Sequence, residues 1–454
     1  MKKLTVIYLV LFVLFLALPA ITMPFFQGDG SSEKRELSDF PQLKTEEGTW
    51  NTEYTDELDT WISEHIGFRS LLVEANSAWQ AALFHQSSED SVVVGQDGWL
   101  FYAETEKDYL NVATLSNRNI HNIVHTMEMV QDYVEEQGAS FVLTVIPNKN
   151  TVYPQWMPYN YVPLDEKGNL ELLEEALASS SVNYADVKSA LMAEDEVLYQ
   201  RLDSHWDYRG ALIGYRTILN KSGYPHKSFD NLTFESRSDW DGDLAGMLYA
   251  AAAEKDVQYY PLYGFNYEVT SHMANVDAIT LQMVNASGQG NLVMFRDSFG
   301  NALQSYLAES FAETLLSREY PFRIEYVEQY NADVCGLEIV ERNIENLAKR
   351  APVMSAPETS LSENIVEVPE EALRIETEEK NGYVHVYGII DEAYLDTSYQ
   401  VYILTEEGAA YEAFPIFEQE LLKEDALSDN GFSAYFPEEV WENMIIKGIL
   451  ITDN

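Results

Sequence analysis

The chain has 454 residues, of which 46% are hydrophobic, and a formal net charge of -47. One hydrophobic core rarely organises a chain of this length, so we expect at least two folded domains. The balance of 75 acidic against 28 basic residues excludes a nucleic-acid-binding protein, because neutralising phosphates requires clustered Lys and Arg. A strongly acidic surface also disfavours attraction to a polyanion.

The N-terminus predicts a membrane anchor. Lys2 and Lys3 precede residues 4–26, which carry no charge and are long enough to cross a bilayer, a span of roughly 20 residues. A cleaved signal peptide usually has a shorter apolar region, so we favour an uncleaved anchor over residues 1–28, with cleavage as the alternative. The lysines then remain in the cytoplasm, and the bulk of a single-pass chain lies on the extracytoplasmic side of the cell membrane.

The middle of the chain predicts an α/β domain over residues 29–352. Residues 51–85 have apolar side chains at helical spacing, and "SVVVGQDGWLFY" indicates a strand followed by a turn. From about residue 115, amphipathic helices alternate with continuous apolar runs such as "SFVLTVI", as expected for buried parallel strands. This alternation predicts a doubly wound parallel sheet with helices on both faces.

The end of the chain predicts a second, smaller domain. Residues 353–365 contain proline, serine and charge but little periodicity, and we interpret them as a linker. Residues 366–454 alternate apolar and polar side chains in short runs such as "YVHVYGII" and "YQVYILT". Such runs, separated by turn residues, predict a small antiparallel β-sandwich that forms an accessory domain.

The segment "DWDGDLAGML" has aspartates at alternate positions, Asp239, Asp241 and Asp243. A calcium-binding EF-hand loop requires Gly at its sixth position and Glu at its twelfth, where this sequence has Leu244 and Ala250. We therefore predict no metal site here, and we predict no cofactor for the protein.

Two polar turns carry the residue types of a serine hydrolase. Ser298 follows the apolar strand "NLVMF" at the start of a helical stretch, where backbone N–H groups such as that of Phe299 would face an oxyanion. Asp203 and His205 lie in "LDSHWDYRG", and a carboxylate beside a histidine holds the tautomer that accepts a serine proton. In open α/β sheets such groups gather at the carboxyl ends of the strands. Taken singly, Ser298 has a plainer interpretation as a helix N-cap, and the Asp–His pair as a hydrogen-bonded turn.

The two turns together carry a family resemblance. "FRDSFG" resembles the nucleophile block of the SGNH (GDSL-type) hydrolase superfamily, with Arg296 where Gly is usual. The segment ending in "LDSHWDYRG" is similar to that superfamily's Asp/His block, but it precedes the serine block, which implies a circular permutation. In this order the chain resembles the DHHW family and the alginate O-acetyltransferase proteins, with Ser204 in place of the signature's first histidine. The resemblance extends over roughly residues 38–350 and leaves the C-terminal strands outside.

The resemblance implies an enzyme, an O-acetyltransferase acting on a cell-surface or secreted polysaccharide. By this analogy Ser298 is the nucleophile that carries the acyl group, His205 is the general base, and Asp203 orients the histidine. The resemblance also implies a membrane-bound O-acyltransferase partner that supplies the acetyl group. The net charge favours a neutral polysaccharide acceptor over a polyuronate or a teichoic acid.

Further candidates for oxyanion or substrate contacts lie near the predicted strand ends or, for Arg318, Tyr320, Arg342 and Asn343, where the resemblance implies that the superfamily's oxyanion Gly and Asn blocks would fall. They are Phe299, Arg318, Tyr320, Arg342, Asn343, Lys149 and Trp206. The plainer alternatives are salt bridges for the charged residues and core packing for the tryptophan.

Two other functions remain open. An acetylesterase would use the same three residues with water as the acceptor. A non-catalytic glycan-binding or scaffold protein would keep the fold and bind through the C-terminal strands. Transfer yields acetylated sugar and hydrolysis yields only free acetate, whereas ester cleavage unchanged in Ser298→Ala would indicate the non-catalytic protein.

Overall fold

The computed structural model of the protein describes most of the chain, namely residues 2–23, 38–44, 49–69, 71–72, 75, 79, 90–112, 115–249, 254–272, 278–361, 364–380, 382–416 and 429–452. The helices in these ranges are α1 (Lys2–Thr22), α2 (Tyr54–His65), α3 (Glu106–Tyr109), α4 (Asn117–Glu136), α5 (Lys149–Val152), α6 (Asn169–Leu177), α7 (Val187–Met192), α8 (Tyr208–Ser222), α9 (Asp243–Tyr249), α10 (Gln304–Ser310), α11 (Tyr326–Gln329), α12 (Asn346–Lys349) and α13 (Glu438–Trp441). The strands are β1 (Val92–Val94), β2 (Leu100–Tyr102), β3 (Ser140–Ile146), β4 (Phe234–Trp240), β5 (Asp256–Pro261), β6 (Glu268–Val269), β7 (Thr280–Val284), β8 (Asn291–Phe295), β9 (Glu313–Ser317), β10 (Val334–Val340), β11 (Glu358–Thr359), β12 (Ile365–Glu367), β13 (Leu373–Lys380), β14 (Tyr383–Ile390), β15 (Val401–Thr405), β16 (Ala410–Ala413), β17 (Gly431–Pro437) and β18 (Ile446–Thr452).

A six-stranded sheet in the order β3-β10-β8-β9-β7-β6 forms the centre of the α/β region. Strands β3, β10, β8 and β9 are parallel, and β7 and β6 add antiparallel edges. Successive residues of β3 belong to different hydrophobic cores, Phe141 and Leu143 to one and Val142 and Ile146 to the other. The first core includes α4 and α6, and the second includes α7, α8 and α10. The predicted α/β fold, with a mainly parallel sheet covered on both faces, is confirmed, whereas the circular permutation stays a prediction.

The four parallel strands bring several chemically useful residues to one edge of the sheet. Lys149 follows β3, Ser298 follows β8, Arg318 follows β9 and Arg342 follows β10. Because the carboxyl ends of parallel strands lie along the same edge, residues distant in sequence become neighbours there. The edge is therefore where the candidate site is assembled.

The C-terminal strands form two antiparallel sheets, β11-β16-β15-β18-β12 and β13-β14-β17. Both contribute to one hydrophobic core, which includes Val386 from the second sheet and Ile403 from the first. The segment predicted as a linker contains β11, which pairs with β16, and Met354, which is fully buried in the core of the α/β region. The segment thus joins the packing on both sides, while the β-sandwich and the domain boundaries stay predictions.

Other parts of the chain differ from the sequence interpretation. Within the described residues, no helix combines the length and the apolarity that crossing a membrane requires. This finding does not support the anchor predicted over residues 1–28. The helix predicted within residues 51–85 is described as α2, and part of the remaining stretch lies outside the described residues. The short strand expected at "VNYADV" is reduced to a single parallel bridge between Tyr184 and Leu143.

Candidate functional site

The turn that carries Ser298 lies directly after β8. Ser298 precedes a 3₁₀ turn, Phe299–Asn301, and its side chain caps no backbone N–H of that turn. Its Oγ instead lies 2.8 Å from Nε2 of His205. The hydroxyl is thus engaged with an imidazole, which differs from the plain helix N-cap.

Asp203 and His205 lie in a tight turn closed by an antiparallel bridge between Tyr199 and Trp206. The N–H of Gln200 donates to the carbonyl of His205 at 3.1 Å, which fixes the base of the turn. His205 Nδ1 lies 2.7 Å from Asp203 Oδ1, and the His205 backbone N–H donates to the same oxygen at 2.9 Å. The structure therefore brings the three predicted residues into one hydrogen-bonded chain, which we call the Ser298–His205–Asp203 chain.

The second oxygen of Asp203 is also occupied. Oδ2 accepts from Trp240 Nε1 at 2.9 Å and from the Asp243 backbone N–H at 3.1 Å. Asp203 is only 3% exposed, and burial alone would raise its pKa, but the hydrogen bonds from His205 and Trp240 outweigh burial and lower the pKa well below its usual range. The carboxylate is thus held ionised.

His205 responds in the opposite direction. Burial lowers the pKa of this imidazole, but the hydrogen bond to Asp203 and the charges of Asp203 and Asp243 outweigh burial and raise it. With a carboxylate oxygen at Nδ1, the neutral ring carries its hydrogen there and leaves the lone pair of Nε2 toward Ser298. This is the tautomer that can accept the serine proton.

A second carboxylate, Asp243, lies beside the histidine. Ser204 Oγ donates to Asp243 Oδ2 at 2.5 Å, and the Ser204 backbone N–H donates to Asp243 Oδ1 at 2.7 Å. Our sequence analysis assigned no role in the site to Asp243 or Trp240, although both lie in "DWDGDL", which we tested as a calcium loop. The three closely spaced aspartates of this segment were the feature of the sequence that could have indicated a carboxylate near the site.

Asp203, His205 and Asp243 also form the group of potential metal ligands found among the described residues, with ligand atoms within 4.8 Å of one another. The hydrogen bonds of Asp203 to the histidine, to Trp240 and to a backbone N–H already use its oxygens. We therefore interpret the group as a proton-handling site.

Lys149 holds the turn that carries Asp203 and His205 through hydrogen bonds to its backbone carbonyls. Its Nζ donates to the carbonyls of Gln200, Arg201 and Asp203 at 2.7, 3.0 and 2.8 Å, and it lies 4.9 Å from the ring centre of Trp99. Burial lowers the pKa of Lys149 to about 7, yet three carbonyl acceptors require the three hydrogens of an ammonium group, and we favour the charged form on this geometry. Lys149 is 4% exposed and its three donors are engaged, so this geometry assigns it to holding the turn. The predicted substrate contact of Lys149 stays a prediction that this geometry does not favour.

Trp206 has the core-packing role that was the plainer alternative for it, and Phe299 directs its backbone N–H elsewhere than predicted. Trp206 is 2% exposed and donates from Nε1 to the Phe299 carbonyl at 3.1 Å, so it links the two turns and is unavailable to stack on a sugar. The Phe299 N–H donates to Asp297 Oδ1 at 2.9 Å, so this structure does not offer it to an oxyanion. Core packing by these aromatics fixes the separation of His205 and Ser298.

Asp297 is held beneath Ser298 by the neighbouring strand β10. Its Oδ2 accepts the Val340 N–H at 2.7 Å, and its own N–H donates to Glu338 Oε2 at 3.0 Å. Glu338 is 1% exposed, and burial together with the charge of Asp297 raises its pKa well above the usual range. The raised pKa favours the neutral form of Glu338, and nothing in our sequence analysis marked this acidic residue in the apolar run "VCGLEIV".

Arg342, which was predicted to contact the oxyanion or the substrate, lies near enough to the Ser298–His205–Asp203 chain for its charge to affect His205. Its guanidinium carbon lies 5.3 Å from the ring centre of Tyr102 and 5.7 Å from that of Phe299, and its charge opposes protonation of His205. Among the described residues, no carboxylate pairs with it at ion-pair distance. Neighbouring Asn343 lies against Asp297, with Nδ2 3.4 Å from Oδ2.

The remaining predicted contacts lie after β9. The Arg318 backbone N–H donates to the Ile279 carbonyl at 2.7 Å. Tyr320 donates its hydroxyl to the Asn346 carbonyl at 2.7 Å and is 37% exposed. Tyr320 is therefore tied to the α12 region, and Arg318 stays a candidate by its place at the strand end.

A protein-family match covers the part of the chain that supplies Asp203 and His205. Residues 92–281 match the family described as the SGNH hydrolase-like domain of acetyltransferase AlgX. The matched segment includes Asp203 and His205 and ends before Ser298. The predicted resemblance to SGNH-like acetyltransferase proteins is confirmed for this part of the chain.

Individual relatives are distant. A probable alginate O-acetylase, AlgJ, of Pseudomonas syringae pv. tomato is 23% identical over 191 residues, which are 42% of this chain and 47% of that protein. The chain thus spans about half the length of the curated relatives it matches. Among solved structures, a DHHW family protein from Eubacterium siraeum has 16% identity and a TM-score of 0.44, with 57% of this chain and 95% of that chain covered. The O-acetyltransferase domain of Pseudomonas putida AlgJ has 17% identity and a TM-score of 0.37, with 56% and 92% covered.

Proposed function

We propose that this chain is an exported O-acetyltransferase that modifies a polysaccharide. The observation that carries the proposal is the continuous hydrogen-bonded chain, 2.8 Å from Ser298 to His205 and 2.7 Å from His205 to Asp203. The family match and the relatives named as probable alginate O-acetylases support acetyl transfer as the reaction. The uncharged N-terminal segment after two lysines supports export.

The first half-reaction acylates Ser298. As Oγ attacks the carbonyl carbon of a donor ester, the hydroxyl proton moves to Nε2 of His205, and Asp203 stabilises the resulting imidazolium. The tetrahedral intermediate collapses with cleavage of the donor C–O bond, and His205 returns the proton to the leaving oxygen. The donor is an acetyl ester delivered by a membrane-bound O-acyltransferase partner, as the resemblance implies.

The second half-reaction passes the acetyl group to the acceptor. A sugar hydroxyl gives its proton to His205 while its oxygen attacks the Ser298 ester carbon. Collapse of this intermediate frees Oγ, which takes the proton back from His205. Both steps pass through protonated His205. The raised pKa of His205 means that this imidazolium forms more readily than in a free histidine.

Arg342 supplies positive charge for the tetrahedral oxyanion in this proposal. Its guanidinium lies against the Phe299 ring, beside the nucleophile turn, and pairs with no carboxylate of the described residues. A preorganised cation stabilises charge that develops only in the transition state.

The acceptor is proposed to be a polysaccharide of low negative charge. The net charge of -47 repels polyanions at long range, although local charges such as that of Arg342 modify this. Comparing a neutral and a uronic-acid oligosaccharide of equal length as acceptors at low salt tests this choice. Faster transfer to the acidic acceptor would contradict it.

The test of the proposed function uses the full chain with a chromogenic acetyl ester, with and without an oligosaccharide acceptor. We expect acetylated sugar by mass spectrometry and loss of all ester cleavage in Ser298→Ala. Ser305→Ala is the matched control, because Ser305 bonds to Tyr267 at 2.9 Å and lies on α10. Cleavage that persists in Ser298→Ala would overturn the proposal.

Hydrolysis is the second candidate function. The His205 side chain is 25% exposed, so water can approach the base that would activate it. An esterase would release free acetate at the same rate with and without acceptor. If this result is found and Ser298→Ala is inactive, the acyl-enzyme mechanism stands and the acceptor is water instead of a sugar hydroxyl.

A further inference from the structure

We propose that Ser204 and Asp243 are positioning residues that fix the orientation of His205 toward Ser298, an inference that rests on the proposed function. Neither touches the reacting atoms of Ser298. Both act through the Nδ1 side of the imidazole, opposite the side that exchanges the proton.

The Asp243 carboxylate takes both donors of Ser204. Oδ1 accepts the Ser204 N–H at 2.7 Å and Oδ2 accepts the Ser204 hydroxyl at 2.5 Å. Ser204 Oγ lies 3.1 Å from His205 Nδ1. Because the single hydroxyl hydrogen is committed to Asp243, Ser204 can only accept a hydrogen from Nδ1. The serine and Asp203 therefore share that hydrogen, and both favour the tautomer in which Nε2 is free.

The same carboxylate is tied into the chain at a second point. The Asp243 backbone N–H donates to Asp203 Oδ2 at 3.1 Å, and Asp243 Oδ2 lies 3.5 Å from His205 Nδ1. The four residues thus close a ring of contacts, in which Asp243 holds Ser204, Ser204 faces His205, and Asp203 contacts both His205 and Asp243. A ring of this kind resists rotation of the imidazole more than a single hydrogen bond does.

Substitution of Asp243 by asparagine has a defined consequence. The backbone N–H groups of Ser204 and Leu244 both donate to Oδ1, each at 2.7 Å, so the amide oxygen must occupy that position. The amide nitrogen then faces Ser204 Oγ as a donor, and the released serine hydrogen can donate to Nδ1 of His205. This arrangement makes Ser204 compete with Asp203 at Nδ1 and weakens the preference for the tautomer whose Nε2 accepts the proton of Ser298.

The substitution also removes a charge near the imidazole. The charged groups that face His205 are Asp203 on its own turn, Asp243 at the start of α9 and Arg342 after β10. The two aspartates raise the pKa of His205 and Arg342 lowers it, while burial opposes the aspartates. Loss of one aspartate charge therefore lowers the pKa of His205, and the acid limb of kcat/KM, which reports the free base, moves to lower pH.

The experiment compares the full chain with Asp243→Asn and a matched control, Asp241→Asn. Asp241 lies in the same segment with a side chain 78% exposed and pairs with Lys255, so its substitution changes the net charge equally without touching His205. Two readouts are measured: the pH profile of kcat/KM for a chromogenic acetyl ester, and the titration of the His205 ring by NMR. We expect Asp243→Asn to shift both by about one pH unit downward and to lower the plateau of kcat/KM, and Asp241→Asn to shift neither.

The two readouts separate the failure of this inference from failure of the proposed function. If the wild-type chain cleaves no ester but NMR of the His205 ring shows hydrogen on Nδ1 in the wild type and a weakened preference for that nitrogen only in Asp243→Asn, the positioning stands and the proposed function fails. Titrations that are the same in both variants overturn the positioning. If Asp243→Asn does not fold, Ser204→Ala decides: we expect about a fivefold fall in kcat at unchanged KM, and an unchanged kcat overturns the inference.

Discussion

The turn that carries Asp203 and His205 is held in a different way from the turn that carries Ser298. Side chains from separate parts of the chain converge on the first turn, including the buried Lys149 and the indole of Trp240. The second turn is held by the backbone N–H groups of Phe299 and Val340, which donate to Asp297, and by the Asp297 N–H, which donates to the buried Glu338 on the next strand. The geometry of the base therefore depends on charged side chains, and that of the nucleophile depends on strand register.

Asp203→Asn should break the base turn most severely. The amide cannot hold a hydrogen on Nδ1 as the carboxylate does, so His205 loses the tautomer that accepts the serine proton. We expect kcat/KM for an acetyl ester to fall by about 10³–10⁴ with KM little changed. Asp186→Asn, which removes a carboxylate that caps α7 at a distance from the site, is the control. A fall of less than about tenfold would show that Asp203 does not orient the base.

Arg342→Met tests the nucleophile turn without disturbing its backbone. The substitution removes the positive charge proposed to stabilise the oxyanion but keeps apolar packing against Tyr102 and Phe299. We expect kcat/KM to fall by about 10²-fold with an unchanged free energy of unfolding. Arg374→Met, on an exposed C-terminal strand, is the control for loss of one charge. Equal activities of the two variants would remove Arg342 from the site.

Lys149→Met should damage the base turn through stability as well as activity. The change leaves the carbonyls of Gln200, Arg201 and Asp203 without their ammonium donor in a buried position. Urea denaturation should show a loss of about 3 kcal/mol, and ester cleavage should fall by about tenfold because the turn loosens. Lys167→Met removes an exposed lysine that pairs with Glu175 and should change neither. An unchanged stability in Lys149→Met would contradict the assigned role of the lysine.

Glu338→Gln should have the smallest effect, because glutamine reproduces the neutral carboxyl group beneath Asp297. At about pH 4.5 and below, where the wild-type carboxyl is protonated in both states, we expect the free energy of unfolding to change by less than about 1 kcal/mol. At neutral pH we expect Glu338→Gln to be the more stable protein, because glutamine avoids the cost of keeping a buried acid protonated, with kcat/KM changed by less than about twofold. The raised pKa means that the contribution of Glu338 to stability is full below the unfolded value of 4.5 and declines as pH rises through the folded value. Urea denaturation at several pH values should therefore show a flatter pH dependence for Glu338→Gln. A large loss at neutral pH would mean that Glu338 is ionised.

The residues of the site that lie in short sequence motifs could be predicted from the sequence. The residues whose role depends on contacts distant in sequence could not. Ser298 was recognisable because it follows an apolar strand in the short motif "FRDSFG". His205 was recognisable because it lies two residues after Asp203 in "LDSHWDYRG". Lys149 was placed at the correct sheet edge, but its direction toward three carbonyls depends on a turn 51 to 54 residues away in sequence. Glu338 was not recognisable, since a pattern does not show whether an acid in an apolar strand is neutral.

The same limit applies to the fold. The alternation of helices with continuous apolar strands predicted the parallel sheet, because burial on both faces imposes that pattern. The segment 353–365 was interpreted as a linker for its proline and serine content, yet Met354 is fully buried and Glu358–Thr359 pairs with another strand. Composition reports local flexibility of a chain, whereas packing depends on the surfaces that the rest of the chain presents.

The central claim is that Ser298 carries the acyl group, and its most direct test is mass spectrometry of the full chain after rapid quenching with a chromogenic acetyl ester. We expect one acetyl group on the peptide that contains Ser298, slow to form in His205→Ala and absent in Ser298→Ala, and discharged faster when a sugar acceptor is added. Ester cleavage without acetylation of this peptide, or acetylation at another residue that Ser298→Ala leaves intact, would contradict the account.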